Sequence, residues 1–238
     1  MSRALIILTY NMLNASKALY PLIPWTEFDE VLVIDEGSSD GTVKFYLDQG
    51  MEVVGQERPG NGEALALGVS RTLGDVLVFY TPNGQEDPRD IMRLVKEIEA
   101  GADLCIASRF MLGARPETYD AAWRWQARSN RLLSFAANFL FRRGPYISDT
   151  ATVFRAFRRE LYEVVQLNDS GSSACFQMSL RAMRLRAKIT EIPTLAGSDL
   201  TSSELIGSDA ASRNSSWAGA GYACIKTLLR EIIGAVLR

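Results

Sequence analysis

A chain of 238 residues, 47% hydrophobic, is long enough for one large domain or two small ones and carries ample apolar material for a core. Its formal net charge of -2 gives no global attraction to nucleic acid, and the absence of histidine excludes an imidazole base, a Ser-His or Cys-His nucleophile pair and any His-containing metal site. Cys105, Cys175 and Cys224 are widely spaced, odd in number and set in apolar runs, so they read as reduced core residues of a cytoplasmic protein.

The opening MSRALIILTYN has a short apolar run but neither the long hydrophobic region nor the cleavage site of a signal peptide, so Ala4–Thr9 reads as a first strand. Glu30–Asp35, Glu52–Gly55, Asp75–Tyr80 and Asp103–Ser108 are further strands, rich in Val, Ile and Leu without alternation, as strands covered on both faces are. Between them lie helices at Ala15–Leu22, Thr42–Gln49, Gly62–Leu73 and Pro88–Ala100. The last has Pro88 in its first turn and Gly101 at its stop. This rhythm predicts an α/β fold with a doubly wound, mostly parallel sheet and helices on both faces. Ligands in such sheets gather beyond the carboxyl ends of the strands, which selects Thr9–Asn11, Asp35–Ser39, Thr81–Asp87 and Ser108–Phe110. No stretch is apolar over the ~18 or more residues a spanning helix needs, so the chain is not expected to be integral to a membrane.

VIDEGSSDGT, Val33 to Thr42, follows the second strand with Asp35 and Glu36 at the strand exit and Gly37 permitting a tight turn. Ser, Asp and Gly also dominate ordinary turns. The adjacent acidic pair favours a functional reading, because two carboxylates at a strand end repel unless something uses them.

LTYNML, VLVIDEGSSDGT, RPGNGEALALGVSRTLGDVLVFYTPNGQEDPRDI, IASRFMLGA, SDTATVFRAFRRELYE and AKITEIP occur in unbroken order over about residues 4 to 193. Together they resemble glycosyltransferase family 2, most of all its dolichyl-phosphate (polyprenyl-phosphate) mannosyl- and glucosyltransferase branch. The resemblance implies a GT-A fold, a nucleotide-sugar donor and inverting transfer of one sugar to an acceptor. It implies that Tyr10 and Asn11 bind the nucleotide, and that Glu36, beside Asp35, takes the place of the aspartate that accepts a hydrogen bond from the base. A carboxylate there suits uracil or guanine, so UDP and GDP both stay open. Gly60, Asn61 and Gly62 match the Gly-rich stretch beside the nucleotide, and Pro82 and Asn83 fall among the implied nucleotide-binding positions. Arg109, Arg131 and Arg155 match an acceptor-phosphate site, and Lys188 lies near a basic residue that reaches the donor phosphates.

The resemblance breaks at the metal. The family's DADGQxDP reads Thr81-Pro82-Asn83-Gly84-Gln85-Glu86-Asp87-Pro88, so both aspartates are replaced and Gln85 is left as a weak, vestigial oxygen ligand. Hard cations such as magnesium or manganese are normally held through carboxylates plus phosphate oxygens, so either is expected to bind weakly. Met12 stands where a glutamate is usual, and Thr194–Asp209 lacks the Arg and Lys expected after EIP; the first cation beyond it is Arg213. Two readings stay open. In one, the leaving diphosphate is met by arginine, lysine or backbone N–H groups. In the other, donor chemistry is lost and the chain only binds a nucleotide, a lipid phosphate or a partner.

Between Arg109 and Arg143 seven arginines face two acids, Glu117 and Asp120. Ala121–Gly144 interleaves the arginines with Trp123, Trp125, Leu132, Leu133, Phe135, Phe139, Leu140 and Phe141, a make-up suited to the headgroup region of a bilayer, although a core-packing helix with a basic face is the plain alternative. Gly221–Arg238 repeats the theme and can supply a second interfacial helix, a homodimer contact or a lid. The expected organisation is a GT-A domain over 1–213 and an amphipathic helix over 214–238, peripheral at the inner face of the membrane. A polyprenyl-phosphate acceptor is already anionic and needs no general base, whereas a hydroxyl of another glycan acceptor needs a carboxylate such as Asp149, Asp87 or Glu86.

Overall fold

The computed structural model describes residues 1–84, 86–114, 121–142, 144–194 and 217–236, the side chains of 121–126, 217, 218, 235 and 236 excepted. In chain order the elements are β1 (Arg3–Thr9), α1 (Leu13–Leu19), β2 (Glu30–Asp35), α2 (Thr42–Asp48), β3 (Glu52–Gly55), α3 (Asn61–Arg71), β4 (Val76–Tyr80), α4 (Asp90–Glu99), β5 (Leu104–Ser108), α5 (Ala121–Phe141), β6 (Arg155–Arg158), α6 (Arg159–Val165), α7 (Ala174–Arg184), β7 (Ile189–Pro193) and α8 (Trp217–Val236). Short 3-10 turns at Tyr20–Leu22 and Trp25–Glu27 link α1 to β2. The expected strands and helices are all present within two residues, except that the first helix ends at Leu19 and tightens into the 3-10 turn.

One seven-stranded sheet runs in the order β3-β2-β1-β4-β6-β5-β7. β1 pairs in parallel with β2 and β4, β2 with β3, and β5 with β7; β6 alone is antiparallel, wedged between β4 and β5 with Arg155 opposite Phe79 and Ile106. Strand alternation divides the core between two faces. Ile6, Leu8, Ile34, Leu77, Phe79, Leu104 and Phe157 meet α3, α5 and α7, while Leu5, Ile7, Val33, Val78, Tyr80 and Cys105 meet α2 and α4. The three cysteines are free and buried. Buried on both faces along almost their whole length, β1, β4 and β5 have no polar side to show, which explains their unbroken apolar sequences.

α8 packs on α5 and α7. Its Glu231, 3% exposed, takes hydrogen bonds from Arg181 Nε at 2.8 Å, Arg184 Nη1 at 2.9 Å and Gln177 Nε2 at 3.1 Å. One turn earlier Thr227 Oγ1 donates to Asp169 Oδ2 at 2.9 Å, which also receives Ser173 Oγ at 2.5 Å. No described helix is long and apolar enough to cross a membrane.

Candidate active site

The exits of β1 and β2 are laced together by two aspartates. Asp35, 3% exposed, accepts Thr9 Oγ1 at 2.8 Å, Ser38 Oγ at 2.5 Å and the amides of Gly37 and Ser38 at 2.9 and 2.7 Å. Asp40 accepts Thr42 N and Oγ1 at 2.9 and 2.6 Å and Leu13 N at 2.9 Å; burial raises its pKa, but these donors outweigh it and hold the carboxyl below the ordinary value. Asn11, in the left-handed region at φ 49°, donates its amide to Ser38 Oγ and accepts Ser39 N on Oδ1, both at 2.8 Å. The SSDGT turn thus organises the loop, and Asp35 is committed to that work. Tyr10 and Glu36 stand half-buried at its rim, with Glu36 N bonded to Thr9 O at 3.0 Å.

Gly60, Asn61 and Gly62 open α3, and the glycines have a packing cause. A Cβ on Gly62 would lie 2.1 Å from Asp169 O, and one on Gly60 2.7 Å from Ser170 O. The chain at 169–171 comes this close because Gly62 N donates to Gly171 O at 3.1 Å and Glu63 N to Ser170 O at 3.0 Å. Those two amides are therefore spent inside the protein instead of facing a diphosphate.

At the β4 exit, Thr81 and Pro82 are buried, Asn83 is half-buried and Gly84 turns at φ 77°. Gln85 lies outside the described residues, as do Arg115, Arg143, most of Thr194–Asp209 and Arg213. Asp87 is 2% exposed and clasped by its neighbour Arg89 through Nε at 2.9 Å and Nη2 at 2.6 Å. Glu86, 5% exposed, accepts Thr152 Oγ1 at 3.1 Å on one oxygen and, among the described residues, has no partner on the other. Burial pushes its pKa up to about 7, against the pull of Arg109 and the Thr152 hydrogen bond. The donor set fits a tightly held divalent cation poorly: the two strand-tip positions are neutral, Asp87 already holds a guanidinium, and Glu86 sits where ionisation is resisted. Among the described residues no group of three or more acidic or thiol side chains could hold a metal.

The β5 exit carries the strongest electrostatic feature. Asp149 is fully buried and receives Arg109 through Nε at 2.7 Å and Nη2 at 3.0 Å, the paired geometry that makes arginine–carboxylate contacts strong. The Arg109 and Arg131 guanidinium carbons lie 5.4 and 5.2 Å from the centroid of the Phe110 ring. Arg131 arrives from α5, one turn before Ser134, whose Oγ lies 2.9 Å from Thr150 Oγ1. Glu191 on β7, which sequence reasoning did not single out, accepts the amides of Ser148 and Asp149 at 2.8 and 2.9 Å and Ser148 Oγ at 3.0 Å. The clue was present in the acidic residue of the apolar strand ITEIP.

Two expected site residues stand elsewhere. Lys188 precedes β7, at the amino end of a strand parallel to β5, so it lies across the sheet from the crevice; its Nζ donates to Ala100 O at 3.3 Å at the end of α4. Arg155 is fully buried, with Nε bonded to Thr152 O at 2.9 Å and Nη1 to Cys175 O at 2.9 Å and Ser179 Oγ at 3.3 Å. Its guanidinium staples the 150–152 loop to α7 and does not reach a phosphate at the surface. Antiparallel β6 begins at the crevice end of the sheet, and its first side chain projects from the sheet face toward α7, beneath the loop.

The chain matches the family model described as glycosyl transferase family 2 over residues 5–165. It is 32% identical over 195 residues to polyprenol monophosphomannose synthase of Mycolicibacterium smegmatis, covering 75% of this chain and 71% of that protein. It is 25% identical over 173 residues to dolichol-phosphate mannosyltransferase of Pyrococcus furiosus, covering 71% of this chain but only 48% of that one. In structure it is similar to glucosyl-3-phosphoglycerate synthase of Mycobacterium tuberculosis, crystallised with Mn2+, UDP-glucose and glycerol 3-phosphate, with a TM-score of 0.62 and 19% identity over 96% of this chain and 79% of that one. This likeness is one of fold, and the architecture is the GT-A sheet with its strand-tip crevice.

Proposed function

Because the chain belongs to glycosyl transferase family 2, we propose that it moves a sugar, with inversion, from a nucleoside-diphosphate sugar to a polyprenyl-phosphate acceptor. The observation that carries this is the pair of guanidinia, Arg109 and Arg131, gathered at the β5 exit 5.4 and 5.2 Å from the centroid of the Phe110 ring, with Asp149 buried against Arg109. Glu36 receives the base of UDP or GDP, Tyr10 and Asn11 flank it, and Asn83 meets the diphosphate. A phosphate monoester already carries ≈ −1.5 to −2 charge at neutral pH, so it attacks the anomeric carbon without a base. The protein aligns that attack and steadies the departing diphosphate.

The replaced aspartates suit this charge pattern. Neutral Thr81 and Asn83 hold magnesium or manganese poorly, but they also spare the diphosphate the repulsion that two bare carboxylates would impose. We therefore propose a transferase that does not depend on a tightly held ion. On the outside, α5 exposes Leu132, Phe135 and Phe139, and α8 exposes Tyr222, Ile225, Leu229 and Ile233, with Arg128, Arg131, Arg142, Lys226 and Arg230 alongside. Packed together, the two helices suit the surface of an anionic bilayer, which supports a peripheral association with the inner membrane face.

The test is transfer of radiolabelled sugar from UDP- and GDP-sugars to polyprenyl phosphate, with and without excess EDTA. An acid-labile lipid-linked product whose yield survives chelation is expected; complete loss with EDTA overturns the metal-independent version. Glu86 favours one second reading, a hydroxyl acceptor, since a carboxyl with a pKa of about 7 and one unpartnered oxygen suits a general base. An acid-stable glycoside product would select it. Nucleotide binding without transfer to any membrane extract would instead identify a non-catalytic binder.

A further inference from the structure

Two hydrogen-bonded branches run from Glu191 on β7 to the turn that carries Arg109 and Phe110. Through the first, its carboxylate holds the amides of Ser148 at 2.8 Å and Asp149 at 2.9 Å, and Asp149 in turn clasps Arg109 by side chain and by the Arg109 amide at 3.3 Å. Through the second, Ser148 Oγ lies 3.1 and 3.0 Å from the two Glu191 oxygens and 2.7 Å from Ser108 Oγ. Ser108 Oγ then accepts the amides of Phe110 and Met111, each at 3.1 Å.

The donors in the second branch can be assigned. A carboxylate only accepts, so Ser148 spends its proton on Glu191, and the Ser108 hydroxyl must donate to Ser148. Ser108 Oγ, buried and with its proton spent, keeps its lone pairs for the two amides. The polarity of the branch is thus set from Glu191 outward, and both branches end on the same turn. Networks of this kind rigidify what they enclose only when every member is satisfied.

We propose that Glu191 is a positioning residue that fixes the Arg109–Phe110 turn, and with it the seat of Arg131 on the Phe110 ring, for the acceptor phosphate. The role in acceptor binding rests on the functional reading given above; the ordering of the turn does not. Glu191→Gln keeps the size of the side chain but leaves one accepting oxygen for two backbone amides and turns an NH2 group toward the other. Ser148→Ala keeps both amide bonds to Glu191 and cuts only the branch to Ser108.

The experiment reads amide hydrogen exchange in the full-length chain and, separately, the Michaelis constants of donor and acceptor. In Glu191→Gln, the amides of Phe110, Met111, Ser148 and Asp149 should exchange about tenfold faster, the effect of one lost buried hydrogen bond, and the acceptor constant should rise by a similar factor while the donor constant holds. In Ser148→Ala, the faster exchange should be confined to Phe110 and Met111. Unchanged exchange at Phe110 and Met111 in both variants overturns the proposal, as does an equal rise in both Michaelis constants. A wild-type chain that transfers no sugar would defeat the functional reading instead, and the exchange pattern would still decide whether the relay orders the turn.

Discussion

The buried Asp149–Arg109 pair offers the sharpest test of the site, through Asp149→Asn. The substitution keeps the shape of the side chain and removes its charge, placing an amide N–H2 against a guanidinium. Asp149 is fully buried and the Arg109 side chain 19% exposed, so the arginine regains only part of its hydration when the partner is lost. Breaking a buried pair from one side costs about 3–5 kcal/mol, and the partial access of Arg109 to water puts this case near about 3 kcal/mol. For a chain of this size that is a fall in melting temperature of about 6–12 °C. Thermal unfolding followed by circular dichroism supplies the measurement, with acceptor titration of the surviving enzyme alongside it. Loss of the clasp should raise the acceptor Michaelis constant at least about tenfold, since an unclasped guanidinium must be reordered on binding. A melting temperature within a degree of wild type, with an unaltered acceptor constant, would show that the pair neither holds the fold nor aims the arginine.

Gly62→Ala puts a methyl carbon 2.1 Å from Asp169 O, and since both sides are backbone the loop at 169–171 must move; expected is destabilisation above about 3 kcal/mol in a denaturant titration, and a wild-type midpoint would refute the close packing. Glu86 has a folded pKa of about 7 against an ordinary 4.5, so its neutral form suits the fold and the associated stability, full below 4.5, is lost as pH rises to about 7. Glu86→Gln should therefore match wild type near pH 4.5 and exceed it by up to about 3 kcal/mol at pH 8; a stability gap that does not change with pH refutes this. Replacing exposed Phe135 and Phe139 with Ser should weaken cosedimentation with anionic vesicles at least about tenfold without shifting the melting temperature. Equal sedimentation would remove these helices from the membrane reading.

How much of this was legible in the sequence follows from the range over which each signal acts. The strand Glu30–Asp35 and the helix from Thr42 declare themselves through local composition, and the structure reproduces them almost residue for residue. The strand tips were equally readable, because the end of an apolar run is a local event. Arg155 and Lys188 were not, since their fate depends on strand direction and register. β6 runs against its neighbours, so its first residue is turned inward beneath the crevice, and Lys188 sits at the start of β7, not at its end. For Glu191 the acidic residue in an apolar strand was a local sign, but its role was not legible, because its partners, Ser148 and Asp149, lie more than 40 residues away along the chain.

The missing metal ligands make sense once the charges at the strand tips are followed one by one. Asp35 and Asp40 are satisfied by amides and hydroxyls, Asp87 and Asp149 by arginines, and Glu86 is held where ionisation is resisted. Met12, 8% exposed, fills with apolar bulk a place where a glutamate would have added one more negative charge. Thr81 and Asn83 continue the same trend at the β4 exit. A crevice that kept two bare aspartates would need a divalent ion simply to admit a diphosphate. With Asp35, Asp40, Asp87 and Asp149 committed inside the protein and Glu86 resisting ionisation, the strand tips favour the proposal that phosphate-bearing substrates enter without an ion to neutralise the walls. Restoring only the aspartates, as Thr81→Asp with Asn83→Asp, should therefore weaken donor binding in EDTA and make it manganese-dependent, both read by calorimetry. Tighter donor binding in EDTA than wild type would show that the charge at these two positions does not govern how the diphosphate is held.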